Sequence, residues 1–274
     1  MTSGAPAAPR AAWADVAAIV EFCVQSLAVA DAELRKLVRD PTELLTRAVQ
    51  PALWLIIFGE VFTRVKAIPT GNLSYLEFMA PGVLAQSVLF SAIFFGIAVI
   101  WERDLGIVHK MLVSPAYRGA LVMGKALSAG LRGLSQAVII YVLALVMGIR
   151  LQYSPLSLVG VVAVVMLGSA LFATFSLIVA CLVKTRERFM GIGQVLTMPL
   201  FFASNAIYPL AIMPRWLQVV ARVNPLTYVV DALRGLMVQG GHSVLGTWTD
   251  LGLQAAVFIV LLTIAAKLYP GLVR

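Results

Sequence analysis

Long stretches of this chain carry almost no charge. Residues 126–183 form a run of 58 positions in which only Arg132 and Arg150 are charged. A helix needs about 20 apolar residues to cross the hydrocarbon core of a bilayer. The run contains two such lengths, separated by a polar turn with a proline at residues 150–155. The pattern therefore predicts two consecutive membrane-spanning helices joined by a short turn.

The same criterion predicts six spans and with them an all-α polytopic membrane protein. The second span is the clearest, because residues 78–101 provide 24 positions without a charge. The first is the weakest, because Arg47 and Glu60 bracket only twelve uncharged residues. Composition agrees, since 12% of the residues are charged, against about 25% in a soluble domain. The predicted spans cover residues 44–62, 78–101, 126–149, 156–183, 188–215 and 251–266.

The chain divides into a tail, residues 1–40, and a six-helix membrane domain, residues 41–274. The first twelve residues are rich in Ala and Pro and are expected to be disordered. Residues 28–39 are amphipathic and are expected to form a helix on the membrane surface. The segment Asp40-Pro41-Thr42-Glu43 then has the pattern of a new helix start.

Two short helices are predicted between the last two spans, within residues 214–239. Asn224-Pro225 has the pattern of an N-cap for the second helix, and Gly240-Gly241 ends it. These helices suit either the outer interface or a re-entrant hairpin packed against protein. An extracellular loop with two surface helices is an equally good interpretation from the sequence. The charged residues of the segment include Arg222, Asp231 and Arg234.

Basic residues indicate which side of the membrane each loop faces. Six spans place both ends of the chain on one side, and basic loops usually face the cytosol. With both termini cytosolic, 13 Lys and Arg residues lie on the cytosolic side and six on the other. Arg47 and Arg132 remain inside spans. This distribution accounts for the net charge of +8, so no nucleic-acid partner is expected.

The predicted membrane interior offers little chemistry of its own. A membrane enzyme or a proton-driven carrier would be expected to hold carboxylates or histidines deep in its helices. Here Glu60 and Glu77 lie at predicted span ends. His109 and His242 have no acidic or cysteine cluster beside them, so no metal site is expected.

One motif imitates a phosphate-binding loop. Residues 119–125 spell G-x-x-x-x-G-K, but residue 126 is Ala, where that loop needs Ser or Thr for magnesium. ATP binding there is not expected. Arg132 lies seven residues past Lys125, roughly 10 Å along a helix. Its side chain could therefore reach the cytosolic face; a substrate contact is the alternative.

The loop between the second and third spans is the most informative feature. It opens with Glu102-Arg103 and ends at Pro115. Between them lie apolar residues at helical spacing, which predict a short amphipathic helix. Such a helix either rests on lipid or docks into a soluble partner. The apolar stripe consists of Leu105, Val108, Met111 and Leu112.

This loop resembles the corresponding loop of type-2 ABC export permeases. Residues 224–234 are similar to the segment before the last span in the same family. The resemblance covers nearly the whole chain and is nearest to the drug-resistance and nodulation-factor export branch. One departure is that Gly106 is followed by Ile107, where the family usually has Thr. The loop residues that carry the resemblance are Glu102, Arg103, Gly106, Leu112, Pro115, Arg118, Gly124 and Lys125.

The resemblance implies a permease of the bacterial cytoplasmic (inner) membrane. It would form a homodimer, contact membrane lipid and associate with two copies of a separate ABC ATPase. No cofactor is expected in this chain, because ATP and Mg²⁺ would bind to the ATPase. Substrates in the family are amphiphilic drugs, lipids, lipo-oligosaccharides or polysaccharides, moved out of the cytoplasm. The alternatives are a membrane-embedded binding or assembly protein that moves nothing, and an intramembrane enzyme.

Two sets of functional residues follow. In the loop, the apolar stripe would fill a groove of the ATPase, while charged residues would set orientation at the rim. Asn205 and Tyr208 lie in the fifth predicted span with three prolines and are expected near the outer end of the substrate pathway. The residues expected to couple to the ATPase are Glu102, Arg103, Leu105, Gly106, Val108, Met111, Leu112, Pro115 and Arg118.

Overall fold

A computed structural model describes residues 11–39, 46, 49–65, 68–113, 117–183, 185–269 and 271. These ranges fold almost entirely into helices and form no β-sheet, which confirms the all-α prediction. The α-helices are α1 (Ala11–Arg39), α2 (Glu60–Val65), α3 (Tyr75–Asp104), α4 (Ile107–Val113), α5 (Arg118–Val146), α6 (Pro155–Leu182), α7 (Arg186–Phe202), α8 (Arg215–Val223), α9 (Pro225–Met237) and α10 (Thr247–Leu268). A π-helical turn, Trp54–Gly59, leads into α2, and a 3₁₀ turn, Leu210–Ile212, precedes α8.

Four of these helices are long and apolar enough to cross a membrane: α3, α5, α6 and α10. They coincide with the second, third, fourth and sixth predicted spans, so the chain is a multi-pass membrane protein. The first predicted span is described only in part, as the π-helical turn and α2. The helix start proposed at residues 40–43 lies outside the described residues. The count of six spans therefore stays a prediction.

The fifth predicted span, residues 188–215, is shorter than expected. Helix α7 has 17 residues and ends at Phe202. Its last carbonyls are capped from a distant part of the chain, because the Asn224 amide donates to the carbonyls of Leu200 at 2.6 Å and Ala203 at 3.2 Å. The chain beyond the cap turns away into irregular structure and the two short helices.

Helices α3 and α6 form the centre of the bundle. Helix α3 is buried along most of its length and packs against α5, α6, α7 and α9, while α6 also contacts α10. Close approach of α5 to α6 depends on Gly133, where a Cβ atom would lie 2.1 Å from the Ser169 hydroxyl. Small residues allow such close packing in membrane helices.

Helix α1 is longer than the predicted segment 28–39 and begins at Ala11. It packs along α5, where a Cβ atom on Gly124 would lie 2.6 Å from the Ser26 carbonyl oxygen. The Gln25 side chain accepts a hydrogen bond from the Tyr117 N–H at 2.9 Å. One face of α1 therefore rests on protein, and its contact with the membrane surface stays a prediction.

Of the two short helices before α10, the second, α9, is packed against protein, whereas the first, α8, buries only Ala221. Asn224 caps α9 by accepting from the Leu226 N–H at 3.0 Å, as predicted. Helix α9 packs against α3, α6 and α10, and most of its side chains are buried. Its end is tied to the turn between α5 and α6, because the Gln152 N–H donates to the Met237 carbonyl at 2.9 Å.

The charge count predicts which loops face outward. Asn72 and Tyr117 are both exposed, in the loops before α3 and before α5. In a chain with Cys23→Ser and Cys181→Ala, which removes both free thiols, Asn72→Cys should react with an impermeant thiol reagent in intact cells. Tyr117→Cys should react only after permeabilisation. Asn72 serves better than Gly71, whose φ of +67° strains any side chain. The opposite labelling pattern would invert the topology.

Candidate functional site

The loop after α3 is a sharp turn followed by one short helix. Helix α3 ends at Asp104, and Gly106 turns the chain with a φ of +71°, a conformation that favours glycine. Helix α4 then runs from Ile107 to Val113. The predicted loop helix is therefore present, and the deviation from the family pattern at Ile107 does not prevent it from forming.

The predicted apolar stripe does not lie on one exposed face. Val108 is fully buried and Met111 is half-buried, and both pack against the bundle core. Leu105, by contrast, is 67% exposed, and so is Val113 at 74%. Val108 anchors the loop to its own protein and cannot fill a partner's groove in this conformation. Leu112 belongs to α4, and Pro115 lies outside the described residues.

Glu102 is not a rim residue. Its side chain is 8% exposed and accepts a hydrogen bond at 2.5 Å from the ammonium of Lys125, whose side chain is 2% exposed. Lys125 also lies 5.6 Å from the centre of the Phe95 ring. Removal of either partner of a buried charge pair destabilises the fold, because the remaining charge stays desolvated and loses this counter-charge. The pair therefore fixes the end of α3 to the beginning of α5.

The other loop charges lie at the surface. Asp104 accepts from Arg103 at 3.0 Å and from Arg186 at 2.7 Å. The bond to Arg186 joins the end of α3 to the start of α7. The Arg186 guanidinium also stacks 3.9 Å from the Trp101 ring. Arg118 is exposed at the start of α5. A partner-facing role for Arg103 and Arg118 stays a prediction.

A cavity of about 1080 Å³ lies beside this loop and is called here the loop cavity. Leu105 and Ile107, from the loop itself, form part of its wall, together with Glu102. The Arg132 side chain also lines it and lies 5.5 Å from the Phe95 ring. This position on the cavity wall would allow Arg132 to contact a substrate, which was the second of the two interpretations of this residue. The rest of the wall is largely aromatic or polar, and includes Gln86, Ser87, Phe90, Ser91, Phe94 and Trp101.

A second polar centre lies at the other end of α3. Asp231 of α9 is buried and accepts from the N–H groups of Val244 at 2.7 Å and Leu245 at 3.4 Å. It also accepts from Ser243 at 3.2 Å and from the Asn205 amide at 3.3 Å. The carboxylate thus ties the loop before α10 and the chain after α7 to α9.

Arg234, one turn after Asp231, completes this centre. Its guanidinium donates to the backbone carbonyl of Asn205 at 2.7 Å and lies 3.9 Å from the Phe78 ring. Burial lowers the pKa of Arg234 to about 10, while the nearby Asp231 carboxylate opposes that shift. The guanidinium therefore stays charged near neutral pH.

A cavity of about 750 Å³ adjoins this centre and is called here the hairpin cavity. Asn205 lines it, whereas the Tyr208 hydroxyl donates to the Phe202 carbonyl at the end of α7. From the sequence, Asp231 and Arg234 were expected only among the charged residues of a segment that lies at the outer interface, in a packed hairpin or in a surface loop. Their i, i+3 spacing, which puts them on one helix face, was the signal for a shared site. In the described part of the chain, no three His, Cys, Asp or Glu side chains are placed to hold a metal ion.

These features define a class of protein: a multi-pass membrane protein with a helical loop and a cavity at either end of its central helix. Residues 24–238 match the ABC-2 type transporter family. The chain belongs to that family, and the resemblance found in its loop is confirmed. Members are membrane permeases rather than catalytic enzymes, and membership implies an ABC ATPase partner in general.

Individual relatives share about a quarter to a third of their residues with this chain. A putative transport permease, ycf38, of Cyanophora paradoxa is 31% identical over 73% of this chain and 70% of that protein. The daunorubicin resistance ABC transporter permease protein DrrB1 of Streptomyces coeruleorubidus is 26% identical over 85% of this chain and 80% of its own length. Nodulation protein J of Rhizobium leguminosarum bv. trifolii is 27% identical over 80% and 81%.

The buried pair makes Lys125 a sensitive position. Lys125→Met should lower the free energy of unfolding by about 3–5 kcal/mol, because it leaves Glu102 charged and buried without its ammonium partner. The double variant Glu102→Gln with Lys125→Met should recover most of that loss. Thermal unfolding of the purified protein in detergent measures both. Glu102→Gln alone completes the comparison. If the losses of stability of Lys125→Met and Glu102→Gln simply added in the double variant, the pair would not act as a unit.

Proposed function

We propose that this chain is the membrane subunit of an ATP-driven exporter in the bacterial cytoplasmic membrane. Two copies would pair and associate with two copies of a separate ABC ATPase, which binds ATP and Mg²⁺. The transported compound would be an amphiphile moved out of the cytoplasm. Relatives named for daunorubicin resistance and for nodulation support this substrate class.

One observation carries this proposal: the loop and the loop cavity share a wall. Leu105 and Ile107 belong to the loop, and they line the cavity together with Trp101 and Glu102 of α3. A force applied to α4 by a partner therefore changes the shape of the cavity directly. The buried pair between Glu102 and Lys125 carries the same displacement to α5.

The face of α4 that meets the ATPase is the exposed one. His109 and Val113 lie one turn apart and are both exposed, and Leu105 is exposed just before the turn. Val108 and Met111 hold the opposite face against the bundle. Exposed apolar side chains on a short helix, rimmed by polar residues, suit a protein interface. We therefore assign partner contact to Leu105 and Val113 rather than to Val108.

Pairing of two copies would use the edge formed by α7 and the π-helical turn. Within the described ranges α7 packs mainly against α3, so its opposite face is open. Trp54 of the π-helical turn lies 5.8 Å from the Phe201 ring and 6.4 Å from the Phe202 ring, which places both segments on one edge. The exposed apolar residues of this edge include Ile56, Ile57, Ile192 and Val195.

A charge on the exposed face of α4 should disrupt ATPase binding. Val113→Asp puts a carboxylate where an apolar contact is expected and should weaken association about tenfold or more. Val223→Asp is the matched control, because Val223 is similarly exposed (78%) on α8 at the other end of the bundle. Co-purification of the ATPase with each variant in detergent measures the effect.

Two results would distinguish the alternatives. Loss of the ATPase with Val113→Asp and full recovery with Val223→Asp supports docking through α4. Full recovery of the ATPase with both variants would mean that the ATPase binds elsewhere and that α4 rests on lipid, and the coupling role of α4 would be abandoned.

Filling the loop cavity should block export without releasing the ATPase. Ala98 lines the cavity, and Ala98→Trp would occupy part of it. Ala163→Trp is the control, because Ala163 is exposed on α6. Comparative lipid and metabolite profiles of cells with and without the gene identify the retained compound. Ala98→Trp should reproduce the profile of cells lacking the gene, and Ala163→Trp should not. If cells with Ala98→Trp had the same lipid and metabolite profile as cells with the unchanged protein, the loop cavity would not be part of the export pathway.

A further inference from the structure

Some residues that line the hairpin cavity hold buried polar atoms that have no hydrogen-bond partner in the described protein. Three residues that line it each hold one such buried atom: Asn205 Oδ1, Thr227 Oγ1 and Arg234 Nε. Buried polar atoms in folded proteins nearly always have a partner, because an unmatched one costs about 1–3 kcal/mol. Three unmatched atoms around one cavity point to a ligand that supplies the missing partners.

The chemistry of these three atoms restricts the ligand. The Asn205 oxygen only accepts, the Arg234 nitrogen only donates, and the Thr227 hydroxyl does both. A phosphate offers acceptors alone and would leave the Asn205 oxygen unmatched. An ammonium offers donors alone, and the cationic side chains of Arg222 and Arg234 on the wall would repel it. A hydroxyl group donates and accepts, so neighbouring hydroxyl groups match the set.

Two charged groups of the wall, Asp231 and Arg234, are already engaged with the protein. Asp231 accepts from Asn205, Ser243 and two backbone N–H groups, and its carboxylate lies 3.8 Å from Arg234. At Asp231 and Arg234 the wall therefore presents a fixed polar surface, while Arg222 adds an exposed cation at another point of the wall. Beside it, Phe78, Leu73 and Leu210 provide an apolar surface for the adjoining part of a ligand. The volume of about 750 Å³ lies within the range of small-molecule sites.

We propose that the hairpin cavity binds the hydroxyl-rich headgroup, of the sugar type, of the exported amphiphile. This inference rests on the proposed export function, since it names the substrate class and places its headgroup at the end of α3 opposite the loop. The Asn205, Thr227 and Arg234 side chains would contact the hydroxyl groups, and Phe78 and Leu73 the apolar portion.

A binding assay that needs no ATPase tests the proposal. Leu245 lines the cavity and is exposed, so Leu245→Cys, in a chain without Cys23 and Cys181, reports on occupancy through its rate of thiol labelling. Hexyl β-D-glucoside should slow that labelling. Hexyl phosphate and hexylammonium, which have the same tail, should have little effect.

Thr227→Val then tests the residue itself. It removes a hydroxyl that has no partner in the described structure, so thermal stability should stay equal or rise. The glucoside concentration needed for half-protection should increase about 3- to 10-fold, as expected for one lost hydrogen bond. Thr174→Val is the control, because Thr174 is equally buried in α6 and donates to the Ala170 carbonyl at 2.7 Å. It should leave protection unchanged.

Each outcome supports or overturns the assignment. Protection by the glucoside alone, weakened by Thr227→Val, supports it. Equal protection by all three compounds would show a site for the tail only, and equal or better protection by hexyl phosphate would show an anion site. No protection by any compound would show a cavity that holds water. Because labelling is measured on the permease alone, these results are independent of whether α4 binds an ATPase.

Discussion

The need to satisfy buried charge inside an apolar bundle governs this structure. Lipid offers no hydrogen bonds, so a charged group within the bundle must find its partner in the protein. Glu102 meets Lys125 at one end of α3, and Asp231 meets Arg234 at the other. The Glu102–Lys125 pair joins α3 to α5. Asp231 and Arg234 lie one turn apart on α9, and their centre joins distant segments through the bond from the Val244 N–H to Asp231 and the bond from Arg234 to the Asn205 backbone carbonyl. The two charge centres therefore tie together parts of the chain that are distant in sequence. Between them the bundle is held by apolar packing and by the Ser176 hydroxyl of α6, which donates to the Ile93 carbonyl and accepts from the Gly96 N–H of α3.

Helix α3 connects the two centres and the two cavities. Its first turn places Phe78 in the wall of the hairpin cavity, and its last turn places Trp101 in the wall of the loop cavity. Close to the first end, a Cβ atom on Gly82 would lie 2.4 Å from the Ala206 carbonyl oxygen, so α3 and the chain after α7 are in direct contact. A displacement that begins at the loop is therefore carried by one continuous helix to the opposite end.

Sequence patterns predicted where the long helices lie, but not where every helix ends or which side chains pack against the bundle. Hydropathy predicted α3, α5, α6 and α10, because each must present a long apolar length to lipid or core. It misplaced the end of α7, which is capped by Asn224, more than twenty residues away. It also assigned the wrong face of the loop helix, since Leu105 and Val108 are both apolar although one is exposed and the other buried. Pairings of this kind depend on tertiary packing, which no local pattern contains.

Relatives named for daunorubicin resistance and for nodulation share sequence along most of this chain, so a difference in selectivity would have to lie in particular side chains. An apolar wall discriminates weakly, since one methylene group changes preference by only about 10- to 200-fold. Buried polar atoms discriminate by about 10⁴ or more, because a wrong ligand leaves them unmatched. The aromatic wall of the loop cavity therefore suits admission of many amphiphiles. In the proposed exporter, the unmatched atoms of Asn205, Thr227 and Arg234 would be better suited to selection.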